Sequence, residues 1–91
     1  MTAARLVITG MVQGVGYRAS FAREALSLQL DGWVRNRSDG AVEALVAGEQ
    51  HAIDAIIGWS RKGPPAACVI GVSVTREDVQ LAPGFRIAAG G

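Results

Sequence analysis

Two glycines and an arginine carry the most chemistry in this chain, in the run Gly14-Val15-Gly16-Tyr17-Arg18. Gly14 and Gly16 lack the Cβ atoms that would hold an anion off the main chain. Both also accept positive φ, so successive N–H groups can converge into an anion-binding nest. A helical pattern begins near Arg18. The first N–H groups of that helix have no partner within it, and its dipole favours an anion at the same end. Arg18 adds a permanent charge and a planar fork of donors suited to phosphate oxygens. A cation at a helix start opposes the dipole, and an anion beside it removes the conflict. The glycine spacing is neither that of a Walker A loop nor that of a dinucleotide fingerprint, and no Lys-Ser/Thr pair follows. Taken alone, two glycines between a strand and a helix also make an ordinary tight turn, and an arginine there is also found simply solvated. No histidine, cysteine or carboxylate lies in the loop. Ser20 has no candidate base near it in sequence, so a covalent phospho-enzyme is not expected.

The wider pattern resembles a known family. Val12-Gln13-Gly14-Val15-Gly16-Tyr17-Arg18 is similar to the first signature of the acylphosphatases. Gly32-Trp33-Val34-Arg35-Asn36, continuing through Asp39-Gly40-Ala41-Val42-Glu43 to Gly48, is similar to the second. The resemblance runs from about Leu6 to Ile87. It implies a small sandwich that hydrolyses the carboxyl–phosphate bond of small acyl phosphates, giving a carboxylate and inorganic phosphate. In the implied mechanism the phosphate-binding loop, Gln13, Gly14, Val15, Gly16, Tyr17 and Arg18, holds the phosphoryl group. Arg18 and Asn36 are the implied catalytic residues: Arg18 holds charge, and Asn36 orients a water for in-line attack without a phospho-enzyme. No metal and no cofactor are implied. Asn36 has one acceptor and two donors, so it can hold a water with a lone pair aimed at phosphorus. Its other reading is a turn-starting asparagine at a strand end. Tyr17 is likewise open between a ring that covers the core and a contribution through its backbone N–H.

These residues need elements to bring them together. Arg5-Leu6-Val7-Ile8-Thr9 reads as a strand. Phe21, Ala22, Ala25 and Leu28 recur at helical spacing from Arg18 to Leu28, with Asp31-Gly32 as the stop. Trp33 to Asn36 is a short strand, Ser38-Asp39-Gly40 a hairpin turn, and Val42, Ala44 and Val46 alternate with Glu43, Leu45 and Ala47 in a third strand. Ile53, Ile56, Ile57 and Ser60 mark the buried face of a second helix over 49–62, which Gly63-Pro64-Pro65 ends. Cys68, Ile70, Val72 and Val74 alternate in a fourth strand, and Phe85-Arg86-Ile87 is a candidate short fifth. Residues 88–91 are expected to fray. The order β-α-β-β-α-β is an α+β, ferredoxin-like split βαβ sandwich, with an antiparallel sheet and two helices on one face. A right-handed crossover makes the first two strands parallel, with room for another between them. Their C-terminal ends then share one edge of the sheet, which lets Arg18 and Asn36 approach.

Composition narrows the function classes. Ninety-one residues suit one domain over 1–91, and 49% hydrophobic residues supply its core. The net charge of +1 offers no basic stripe for a nucleic-acid backbone. No apolar run approaches about eighteen residues, so no membrane span is expected. Met1-Thr2-Ala3-Ala4-Arg5 lacks a basic region followed by an apolar core, which argues against a secretory signal. Cys68 is the only cysteine and His51 the only histidine, so neither an internal disulfide nor a zinc set is available. The expectation is a cytoplasmic monomer acting on a small-molecule substrate. His51, on a polar segment, and Asp39 and Glu43, flanking the hairpin, read as turn and solvated-face residues. Two other classes compete. A non-catalytic phosphate- or acyl-phosphate-binding module would not need Asn36, and an RNA-binding domain would need exposed aromatics on central strands beside a basic face.

Overall fold

The computed structural model describes residues 2–90. Five strands and two helices follow in the order β1 (Thr2–Met11), α1 (Tyr17–Ser27), β2 (Asp31–Asn36), β3 (Val42–Gly48), α2 (Gln50–Ser60), β4 (Cys68–Glu77) and β5 (Phe85–Ile87). The sheet order is β4-β1-β3-β2-β5. β3 pairs antiparallel with both β1 and β2, which makes β1 and β2 parallel with β3 between them. This is the ferredoxin-like arrangement expected from the alternation of elements.

One part of the expected sheet is corrected. The four long strands are antiparallel, but β5 pairs parallel with β2, so the whole sheet is mixed. β4 lies at one edge and β5 at the other. The intervening residues 78–84 therefore cross the end of the sheet and deliver β5 in the same direction as β2. The Asp31 carboxylate and carbonyl contacts at Gly84 hold that arrival: Gly84 N donates to Asp31 Oδ1 at 2.8 Å, and Gly32 N donates to Gly84 O at 3.0 Å.

The core lies between the helices and one face of the sheet. Ala4, Leu6 and Ile8 of β1, Val34 of β2, and Val42, Ala44 and Val46 of β3 alternate inward. Phe21 and Ala25 of α1 and Ala52, Ile53 and Ile56 of α2 close over them. The Tyr17, Phe21, Trp59 and Phe85 rings form a linked aromatic group beneath the start of α1, with centroids 5.6–6.2 Å apart.

Three local expectations change. α1 is ended not by Asp31-Gly32, which already belong to β2, but by Gln29 at φ 60, a left-handed position. Leu30 N then donates to Ala25 O at 3.0 Å, the wider closing bond of a helix end. Strict alternation in β4 also fails, because the β1–β4 register shifts between Thr9 and Gly10. Val69 and Val72 pack on the core, while Ile70 turns outward and is 83% exposed. Finally, Ala88 is not frayed: its N–H donates to Val34 O at 2.8 Å, and Gly90 packs beside Asn36. Gly91 lies outside the described residues.

Candidate active site

The loop after β1 is built as its glycines suggested. Gly14 has φ 75 and Gly16 φ 79, and a Cβ at either would meet nothing within 4 Å. The backbone is therefore left-handed at both positions, and open space lies where an anion would approach. Gly16 occupies the N-cap of α1, and the first helical bond is Ser20 N to Gly16 O at 3.1 Å. Among the described residues, no acceptor meets the N–H groups from Gly14 to Ala19. Six successive donors, at the positive end of a helix, are thus unspent.

Arg18 is half-buried and lines a hollow of about 170 Å³ with Val12, Gly14, Gly16, Ala19 and Ile87. Among the described residues its guanidinium has neither a hydrogen bond nor an ion pair. A guanidinium near unspent N–H groups is an arrangement that can receive an anion. Tyr17 resolves toward structure. Its ring is buried, its hydroxyl donates to Ser60 O at 2.8 Å, and burial raises its pKa above the ordinary phenol value. Its backbone N–H is among the unpaired donors of the loop, and the residue also lines the hollow beside Arg18.

Asn36 ends β2 and pairs with Val42, which pairs in turn with Ile8 of β1. The parallel strands therefore present the loop and Asn36 at one edge. Asn36 Oδ1 is buried and has no hydrogen-bond partner. A buried carbonyl acceptor left unmet costs about 1–3 kcal/mol, so such groups ordinarily have a partner or a task. Among the described residues, no direct hydrogen bond joins Arg18 to Asn36.

The residue that joins the two halves is Gln13, through a side-chain contact that was not among the expectations for it. Its side-chain Nε2 donates to Arg37 O at 2.8 Å and to Ala41 O at 2.9 Å. The amide thus clamps the loop to the β2–β3 hairpin, immediately after Asn36. Nothing in sequence spacing marks that contact, because the partners are backbone atoms 24 and 28 residues away.

Other residues resolve away from the site. His51 is exposed at the start of α2, with Nδ1 3.4 Å from Glu49 Oε2. It lines a hollow of about 500 Å³ at the opposite end of the strands, beside Asp31 and Glu49, where carboxylates would repel an anion. Glu43 is corrected. It is 6% exposed and not solvated, because Arg5 Nη1 at 2.6 Å and Arg35 Nη2 at 2.8 Å close over its carboxylate. Burial alone would raise its pKa, but the hydrogen bonds from Arg35 and Arg5 outweigh burial and hold it below the ordinary value. Both guanidinia also lie over the Trp33 ring, 5.7 and 5.3 Å from its centroid. The open face of the sheet is thus a neutralised lattice of charge, not a basic surface.

The fold is that of a small ferredoxin-like sandwich, and its candidate site lies where the loop after β1 and the end of β2 meet. The sequence model of the acylphosphatase family matches residues 4–87. An acylphosphatase from Thermococcus kodakarensis is 48% identical over 84 residues, covering 92% of each chain. One from Azoarcus sp. is 58% identical over 73 residues, covering 79% of this chain and 74% of that protein. The crystal structure of the Bacillus subtilis acylphosphatase superposes with a TM-score of 0.93 at 36% identity, covering 97% of this chain and 99% of that one. The chain belongs to the acylphosphatase family of hydrolases.

Proposed function

We propose that the loop from Gln13 to Arg18 is the phosphate-binding site of this acylphosphatase, and that Arg18 and Asn36 perform the reaction there. The reaction is hydrolysis of the carboxyl–phosphate bond of small acyl phosphates. The N–H groups and the Arg18 fork receive the phosphoryl oxygens. They are in place before the reaction, so they stabilise developing charge without reorganisation. A water donates one O–H to Asn36 Oδ1, which leaves its lone pair directed at phosphorus. The bond from water oxygen to phosphorus forms as the bond from phosphorus to the acyl oxygen breaks. The carboxylate departs with the electron pair, and the water proton passes to a substrate oxygen. A carboxylate is already a good leaving group, so no general acid is needed. Gln13 contributes its clamp on the hairpin as well as its place in the loop.

The observation that carries this reading is the buried, unpartnered Oδ1 of Asn36 at the same sheet edge as the unspent N–H groups. An acceptor without a donor and donors without an acceptor are what a water and a phosphate would complete. The positive charge that a metal would bring is supplied by Arg18 and the helix start, and the reaction proceeds without metal or cofactor. The protein acts as a single-domain, cytoplasmic monomer on a small molecule. Pairing of Arg5 and Arg35 with Glu43 argues against a nucleic-acid partner, and the exposed free thiol of Cys68 suits a reducing compartment. Among the described residues, no helix is long and apolar enough to cross a membrane.

The test is phosphate release from acetyl phosphate in the presence of chelator. Full activity is expected, with inorganic phosphate competing against substrate. Abolition by chelator with restoration by magnesium would overturn the mechanism, and purely noncompetitive inhibition by phosphate would remove the loop as the site.

A further inference from the structure

Beside the loop lies a second hollow, larger than the cradle and different in chemistry. It measures about 560 Å³ and is lined by Met11, Val12, Gln13, Gly40, Cys68 and Ile70. No carboxylate, lysine or arginine lines it. Met11 is 67% exposed and Ile70 83%, the two most exposed large hydrophobic residues among those described. Single exposed apolar residues need no explanation, but a contiguous apolar patch beside a binding loop marks a contact surface.

The patch depends on a specific irregularity. Between Thr9 and Gly10 the β1–β4 register shifts, and Ile70 is the residue left without a partner. Gly10 has φ 120, and a Cβ there would lie 2.2 Å from Cys68 O. Only glycine permits that approach, so the bulge is tied to this position. Without the shift, alternation would carry Ile70 toward the core with Val72. The bulge instead sends it outward, beside Met11 at the end of β1.

We propose that this groove is the acyl subsite of the enzyme, and that it selects acyl phosphates whose acyl group is an apolar chain of several carbons. The inference rests on the loop being the phosphate site. The cradle of about 170 Å³ receives the phosphoryl group and has room for only the first atoms of the acyl group, so a chain of several carbons extends beyond it. Val12 borders both hollows, and Gln13, next to it, borders the groove. An acyl chain leaving the cradle past Val12 enters the groove that Met11 and Ile70 line. The clamp from Gln13 to Arg37 O and Ala41 O fixes the partition between the two compartments, so the groove is presented in one position. An uncharged lining gives no favourable partner to a charged or strongly polar acyl group, whereas each methylene laid against it leaves water.

The experiment compares acetyl phosphate with hexanoyl phosphate, whose carboxylate leaving groups are alike, in the wild type and in the double variant Met11→Ser/Ile70→Ser. Both side chains are exposed, and neither belongs to the catalytic machinery, so the fold and the basal reaction are expected to survive. In the wild type, KM for hexanoyl phosphate should be about three- to tenfold below that for acetyl phosphate, the scale of partial methylene burial. The double variant should lose that difference through a rise in KM for hexanoyl phosphate. Its kcat, its KM for acetyl phosphate and its inhibition by inorganic phosphate should be unchanged. Equal KM values for the two substrates in the wild type, or equal changes for both in the variant, would overturn the subsite while leaving the phosphate site standing. Equal changes accompanied by conversion from dimer to monomer in sedimentation would assign the patch to a contact between two copies instead. Arg18→Ala is assayed in parallel: if it still hydrolyses both substrates at the wild-type rate, the phosphate-site reading fails first, and the subsite falls with it.

Discussion

Arg18 has no structural partner among the described residues, so its removal is easy to interpret. Arg18→Ala should keep its circular dichroism spectrum and lose roughly 10³–10⁵ in kcat/KM, the range for a transition-state arginine. Arg18→Lys should also be badly impaired, because a point charge does not reproduce the planar fork. Near-wild-type turnover in either variant would exclude Arg18 from the mechanism. Asn36 divides from it by task. Asn36→Ala should lower kcat by about 10²–10³ while leaving the phosphate inhibition constant nearly unchanged, since it removes the partner of the water and not of the anion. Equal losses in both quantities would make Asn36 a phosphate ligand. Gln13 should behave as a positioning residue. Gln13→Ala frees the hairpin that carries Asn36, and a misplacement near 1 Å costs about a hundredfold in rate. That loss should largely disappear in an Asn36→Ala background, because nothing then remains to misplace. Additive losses in the double-mutant cycle would show that the clamp serves stability alone.

The elements meet their ends in ways that single residues can test. α1 stops at Gln29, whose φ of 60 places a residue with a Cβ in a left-handed conformation. That conformation costs about 1–2 kcal/mol, part of which glycine returns as unfolded-state entropy. Gln29→Gly should therefore stabilise the fold by about 0.5–1 kcal/mol, read as a higher urea midpoint at unchanged slope. A lower midpoint would mean that the Gln29 side chain makes a contribution larger than its strain. At the other end of the same helix, the N-cap is Gly16 with no side-chain hydrogen bond. At φ 79 a serine would be strained, so the left-handed turn itself keeps a capping side chain out of this position.

At the scale of the whole molecule, Glu43 links three strands through Arg5 and Arg35, and Arg5 reaches on to Glu77 of β4 at 3.3 Å. The pKa of Glu43 is depressed in the folded protein, so its contribution to stability is complete above the ordinary glutamate value of about 4.3. It is lost as pH falls through the lower folded value. Glu43→Gln should cost about 1–2 kcal/mol at pH 7, less than a fully buried pair because both guanidinia reach solvent. The same variant should show a flatter fall in stability below about pH 4.3. If wild type and variant lose stability in parallel as pH falls, Glu43 is not the acid-sensitive link. Turnover near neutral pH should be unaffected by this titration, since the network lies on the open face of the sheet and the loop at its edge.

What could be read from the chain alone was local. Gly14 and Gly16 could take positive φ, a helical pattern began near Arg18, the apolar stripes of α1 and α2 followed from a period of 3.6, and the alternation in β3 from a period of 2. The order of elements then required β1 and β2 to be parallel, which already placed the loop and Asn36 at one edge. The tertiary structure decided what depends on partners distant in sequence. Glu43 is buried because Arg5, 38 residues away, closes over it. Gln13 turns its amide to the hairpin because two carbonyls are presented there. β5 runs parallel to β2 because β4 leaves the sheet at the far edge, and Ile70 faces outward because Gly10 opposes Val69 and not Ile70. A backbone angle or a helical stripe is set by steric limits within a few residues, whereas a register, an ion pair or an unsatisfied oxygen exists only after strands far apart in the chain have met.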